Sequence, residues 1–216
     1  MKKASEPVES ESPKALGSVR GRPRLFDREA ALTQAMRLFW RKGFSATSLV
    51  DLTTAMGISP PSLYAAFGSK EALYAEALDH YVRCHGSKPW IAFDNAPTPR
   101  GAMRAYLMGS VAALSGSDTP PGCMLALSAV AEEGNVVLGE TVRQARARAL
   151  QRLDDRFVRA VSEGELSEDK ARGLGRFIMA VQGGMSLQAR DGASREDLED
   201  IVRHALSIWD VGEGES

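Results

Sequence analysis

The chain has 216 residues, 44% of them hydrophobic and 25% charged, with a net charge of −1 at pH 7. That is the composition of a globular protein with enough apolar material for a core of its own, as one domain or two that share helices. Two cysteines and three histidines, in no Cys–His cluster, leave no disulfide framework and no metal site, and no run of about eighteen apolar residues is long enough to cross a membrane.

The first twenty residues hold lysines but no apolar stretch, so no secretory signal is expected and the cytoplasm is the expected compartment. The small net charge hides an asymmetry. Residues 1–85 carry twelve Lys and Arg against nine Asp and Glu, whereas residues 86–216 carry fifteen against nineteen. Lys14–Lys42 holds eight basic residues against Asp27 and Glu29. A basic front end on an acidic body points to a polyanionic partner for the front end.

Residues 1–19 are rich in Ser, Glu, Pro and Lys and lack aromatic side chains, which predicts a disordered tail. Arg20, Arg22 and Arg24 follow as a flexible arm. Asp27 can cap a first helix with Ala31, Leu32, Ala35, Leu38 and Phe39 on one face, stopped by Gly43. Thr47 is the expected cap of a second helix ending at Gly57. Ser59 caps a third, with Pro60 at its first position and its end at Phe67. Ser69 caps a fourth, through Tyr81 to near Cys84–Gly86. Ser87–Pro99 is expected to be a loop, and helices are expected over 100–114, 123–133, 136–162, 168–188 and 195–209. No strand alternation appears. The fold class is therefore all-α: a three-helix front unit, 20–68, and a larger helical bundle, 69–216.

A helix, a turn built on glycine and a second helix with a small polar cap form the unit that fits DNA's major groove. Leu49–Met56, Gly57-Ile58 and Ser59–Phe67 have that order. Leu52, Ala55, Ile58 and Leu63 are expected between the helices, which leaves Ser62, Tyr64 and Ala65 outward with the caps Thr47 and Ser59. The hydroxyls of Ser59 and Ser62 can bond a base edge or a phosphate. Pro60 and Pro61 have no donor and can read bases only by shape or apolar contact.

The residues Phe39, Gly43-Phe44, Thr47-Ser48, Ala55-x-Gly57-Ile58-Ser59, Leu63-Tyr64-x-x-Phe67 and Lys70-Glu71-x-Leu73 resemble, at fixed spacing, the TetR family of transcriptional repressors. The resemblance is detailed over roughly residues 26–75. It implies a homodimer on double-stranded operator DNA, with no cofactor and no catalysis. Tyr64 and Lys70 match phosphate-contacting positions, and Thr47 and Ser48 would meet phosphate at the start of the second helix. Arg20, Arg22 and Arg24 could enter the adjacent minor groove, as arginine arms do.

The resemblance further implies an effector cavity and a dimer seam in the back half. Candidate lining residues are Trp90, Phe93, Met103, Tyr106, Leu107, Met108, Cys123, Met124, Leu127, Phe177 and Gln182. Few polar groups converge among them, so an apolar or aromatic effector is expected. The last two helices are the family's dimerising pair, here with Phe177, Val181, Gly184 and Leu187 on one and Leu198, Ile201, Ala205 and Ile208 on the other. Cys123, expected in the first turn of a helix, is a candidate sensor of electrophiles or oxidants, because a helix N-terminus favours thiolate. Two other readings stand beside a ligand-responsive repressor. One is a constitutive or architectural DNA-binding protein with a filled core. The other is an all-α enzyme, for which no Ser-His-Asp spacing, metal cluster or phosphate loop speaks.

Overall fold

The computed structural model of the protein describes residues 27–131 and 134–209. The tail, the arginine arm and the pair at 132–133 lie outside the described residues. Ten α-helices and no strand form among the described residues, and no helix there is long and apolar enough to cross a membrane.

The front unit follows its local signals. In α1 (Arg28–Lys42), the Asp27 carboxylate accepts from the backbone N–H groups of Glu29 and Ala30 at 3.1 and 3.0 Å, and Gly43, at φ 81°, closes the far end. In α2 (Leu49–Met56) the cap is Ser48 rather than Thr47. Ser48 and Asp51 exchange side-chain and backbone hydrogen bonds at 3.0 and 3.1 Å, a reciprocal cap that Thr47 lacks an acid to complete. The turn to α3 (Pro60–Phe67) passes through Gly57 at φ 67°, a left-handed conformation that costs a side-chain-bearing residue energy. Ser69 caps α4 (Lys70–Tyr81), after which the helix widens into a π-helical turn over Val82–Gly86.

Three expectations for the back half fail. Ser87–Pro99 is not a loop throughout, because α5 (Lys88–Asp94) forms there. Its Trp90 and Phe93 pack on Tyr106 with ring centroids 4.6 and 6.1 Å away. Pro89 sits against Gly109 of α6 (Pro99–Leu114), where a Cβ would come within 2.9 Å of the proline backbone. The helix expected from Cys123 does not form, and residues 123–131 run as turns. Their carbonyls are engaged elsewhere: Arg146 of α7 (Val136–Ser162) donates to Leu125, Ala126 and Ser128 at 3.1, 3.0 and 2.7 Å. The expected single helix over 168–188 is divided by Gly173, at φ 75°, into α8 (Glu168–Ala171) and α9 (Leu174–Arg190). The chain then forms α10 (Arg195–Leu206) and a short 3-10 turn to Trp209.

Two apolar cores result. The inner faces of α1–α4 close on Leu52, Leu63, Leu73 and Phe39, joined by Met124, Val130, Leu138 and Val142 from the back half. The second core gathers α5, α6, the later part of α7, α9 and α10 around Phe93, Met103, Leu153, Phe157 and Ile178. Cys123 packs against both cores.

Candidate nucleic-acid interface and adjoining cavity

The α2–α3 pair is held from behind. Leu52 and Leu63 are fully buried, and burial of a leucine contributes about 1.5–3 kcal/mol. Side chains one or two positions from Leu63 therefore face out: Ser62, Tyr64 and Ala65 are exposed, the tyrosine by 47%, as are Ser59, Pro60 and Pro61. Ala55 faces out too, contrary to the expectation that it lies between the helices.

The polar groups of this face divide into engaged and open ones. The Ser59 hydroxyl accepts from the Ser62 N–H and shares a 2.9 Å bond with the Ser62 hydroxyl, so the two serines present one linked pair of oxygens at the start of α3. Ser48 is exposed. Thr47 is not: it is fully buried, and its hydroxyl donates to the Gly43 carbonyl at 2.6 Å. It closes the α1–α2 turn and has no surface with which to meet a phosphate. Helix α3 itself carries no charged residue, so attraction for a polyanion has to come from its flanks. Lys70 stands at the first turn of α4 with its ammonium 4.3 Å from the Phe44 ring centre. Lys42 pairs with Asp51 at 3.1 Å. The Ser48 backbone N–H and then Lys42 hold the Asp51 carboxyl below the usual range, so this acid is ionised and paired with a lysine.

Behind the front unit lies a cavity of about 500 Å³, walled by the π-helical turn, α5, α6, α7 and α9. Of the residues expected to line it, Trp90, Tyr106, Cys123 and Gln182 do so. Phe93, Met103 and Leu107 are instead buried in the second core, with Met108 packed on it, and Met124 belongs to the first. Leu127 borders a smaller cleft of about 180 Å³, and Phe177 is on the outside. Helical spacing marks which side chains are buried, not which of them lack a neighbour on one side. The lining also contains groups that the sequence reading missed: Tyr81, His85, Ser110, Arg146, Arg148 and Arg152. The arginine-rich stretch of α7 was the available signal. The cavity is accordingly more polar than expected.

Cys123 lies where Tyr81 and Tyr106 meet. Its sulfur accepts from the Tyr81 hydroxyl at 3.2 Å and from the Ala126 N–H at 3.4 Å. The helix N-terminus invoked from the sequence is absent, and these two donors stand in its place. Burial first, and then the neighbouring Cys123 sulfur, push both tyrosine hydroxyls well above their ordinary range, so both remain protonated donors. Burial, followed by the nearby charges of Lys88, Arg37 and His80, holds His85 below the usual imidazole value.

On the far side of α9, Phe177, Gly184 and Leu187 are exposed and Val181 is half-buried, at the spacing of one helical face. Ile201 of α10 is half-buried, and Ile208, in the 3-10 turn that follows, is exposed. Leu198 and Ala205 are not available to a partner, because both are buried in the second core.

A family model described as bacterial regulatory proteins, tetR family, matches residues 31–77. A second, for the C-terminal domain of LmrA/YxaF-like transcriptional regulators, matches residues 99–204. The chain is 32% identical over 205 residues to the HTH-type transcriptional repressor ComR of Escherichia coli (strain K12), covering 93% of this chain and 97% of ComR. To the HTH-type transcriptional repressor BdcR of the same organism it is 53% identical over 64 residues, 30% of this chain and 32% of BdcR. Among solved structures, a cysteine mutant of the regulator CifR, complexed with 26 bp double-strand operator DNA, is similar at a TM-score of 0.79 and 38% identity, over 86% of this chain and 98% of that one.

Proposed function

The chain belongs to the TetR family of bacterial regulatory proteins, and from that premise we propose that it is a dimeric transcriptional repressor. It binds a palindromic operator and leaves it when a small molecule with an apolar or aromatic body fills the cavity. The observation that carries this reading is the outer face of α3: a row of small and aromatic side chains, uncharged, fixed from behind by Leu52 and Leu63 and flanked by Lys70. Such a face reads the major groove while its flank neutralises phosphate.

In this reading, residues 20–68 form the DNA-binding unit and 69–216 the effector and dimer unit. Ser59, Pro60, Pro61 and Ser62 approach base edges. Tyr64, Lys70 and Ser48 contact phosphates, and the Arg20, Arg22 and Arg24 arm follows the minor groove. Phe177, Val181, Gly184 and Leu187, with Ile201 and Ile208, meet their copies across a two-fold axis that sets the half-site spacing.

Release requires two states with different spacing of the α3 helices and a ligand that prefers one of them. Helix α4 is suited to couple them. It starts at Lys70 beside the DNA face and leads through Tyr81 into Val82, His85 and Gly86 on the cavity wall. The cavity itself speaks against a constitutive DNA binder with a filled core. Selection of random duplexes by the full chain, followed by mobility shifts of the enriched site, tests the reading. An enriched palindrome with half-sites about one helical turn apart supports it, and uniform binding of all duplexes would overturn it.

A further inference from the structure

The charge inside the cavity wall is one-sided. Among the described residues, Arg146, Arg148 and Arg152 line it, and no Asp or Glu does. Arg152 is paired with Asp94 and lies over the Trp90 ring, 4.7 Å from its centre. Arg146 spends its donors on the carbonyls of Leu125, Ala126 and Ser128, and no carboxylate of a described residue pairs with its charge. Arg148 is exposed at the mouth and has neither an ion pair nor a hydrogen bond to a described residue. Guanidinium groups cannot shed their protons to relieve this, whereas a lysine or histidine could. Three fixed positive charges therefore face a half-enclosed space, and among the described residues one carboxylate, that of Asp94, pairs with them. Apolar walls of this kind concentrate such a field rather than dissipate it.

Most of the remaining wall is apolar or aromatic, with Trp90, Tyr81, Tyr106, Leu114 and Met179, and His85, Ser110 and Gln182 add neutral polar groups. A volume of about 500 Å³ lies within the range of roughly 300–1,000 Å³ that holds small organic ligands. We propose that the ligand of this cavity is an amphipathic organic anion, an aromatic or acyl carboxylate, with its carboxylate on Arg148 and its body against the Trp90 and Tyr106 rings. The fork of a free guanidinium matches a carboxylate with two parallel hydrogen bonds, which a neutral amide of the same shape cannot reproduce. The inference rests on the reading of the cavity as the effector site and adds the chemical class of the effector.

The test uses the full-length protein, biphenyl carboxylate and its neutral carboxamide, with binding measured by calorimetry. The carboxylate is expected to bind at least about tenfold more tightly than the amide. Arg148→Gln, a substitution at an exposed position, should abolish that ratio while leaving the thermal midpoint unchanged. Equal affinities for the two compounds overturn the proposal. So does no carboxylate binding at millimolar concentration, or a preference for the carboxylate that survives Arg148→Gln. A parallel mobility shift on operator DNA separates this inference from the reading beneath it. Carboxylate binding without release leaves the anion site standing and removes its effector role. Release by neutral compounds alone leaves the effector reading standing and removes the anion.

Discussion

The indole N–H of Trp40 donates to the carbonyl of Gly122 at 3.1 Å, inside the protein and across 82 residues of sequence. The carbonyl of Trp40 itself accepts from Arg190 at 2.8 Å. The last turn of α1 is thereby bonded both to the segment that carries Cys123 and to the end of α9. The DNA-binding unit is attached to the cavity wall at a defined point, not by a linker.

Trp40→Phe should keep the apolar packing and leave the buried Gly122 carbonyl without its donor, a cost of about 1–3 kcal/mol. A fall in thermal midpoint of several degrees is expected for a chain of this size. Gly122→Ala should be worse. The residue sits at φ 81°, and a Cβ would lie 2.8 Å from the Ser186 carbonyl oxygen of α9 and 2.7 Å from Leu127. Thermal melts of both variants check the order; a Gly122→Ala protein as stable as wild type would mean that this junction is loose.

Lys70→Ala should weaken binding to every DNA sequence and reduce the slope of log affinity against log salt by about one. Tyr64→Ala should lower operator affinity with little change in stability, because its ring is half out of the protein. Titrations at several salt concentrations measure both. Wild-type affinity in the two variants would place the DNA on another face.

Leu187→Asp tests the dimer seam more cleanly than a change at Ile201, which is partly packed into the second core. Leu187 is 53% exposed in the single chain, so its charge is solvated in a monomer and desolvated only in a dimer. The expected product is a folded monomer by light scattering and circular dichroism, with operator affinity reduced by orders of magnitude. A Leu187→Asp dimer would put the two-fold axis elsewhere.

Cys123→Ser should leave operator binding intact, since the sulfur lies away from the α3 face. If thiol-reactive compounds release the wild-type protein through this group, the serine variant will stay bound in their presence, and the exposed Cys84 supplies the control substitution. A variant released as readily as wild type would assign the sulfur a packing role between Tyr81 and the backbone of Ala126.

The front unit was legible because its information is local. Caps at Asp27, Ser59 and Ser69, stops at Gly43 and Gly57, and a repeating apolar face place each helix without reference to the rest. Thr47 was misplaced by one residue because two hydroxyls are adjacent there, and only the acid three residues after Ser48 decides between them. The back half was legible in its long helices and not in its short ones. Helix α5 has no side-chain cap, and α6 holds it through Pro89 on Gly109. The segment after Cys123 has helix-compatible composition but loses its carbonyls to Arg146, a residue twenty positions away. The cavity was half legible: its aromatic wall showed in the sequence, and its arginines did not, because a cation on a long helix is ordinarily a solvated one.

Helix α9 carries two adjacent glycines whose directions differ. Gly183 borders the cavity and Gly184 the outer face, and a Cβ at either would find open space within 4 Å. The helix is therefore a party wall about 10 Å thick. Whatever occupies the room on one side is a single backbone away from the neighbour on the other. A methyl group added at 183 would shrink the chamber, and one added at 184 would push the second copy outward in the proposed dimer. In the evolution of such a protein, what it senses and how widely it straddles DNA can change by substitutions one codon apart.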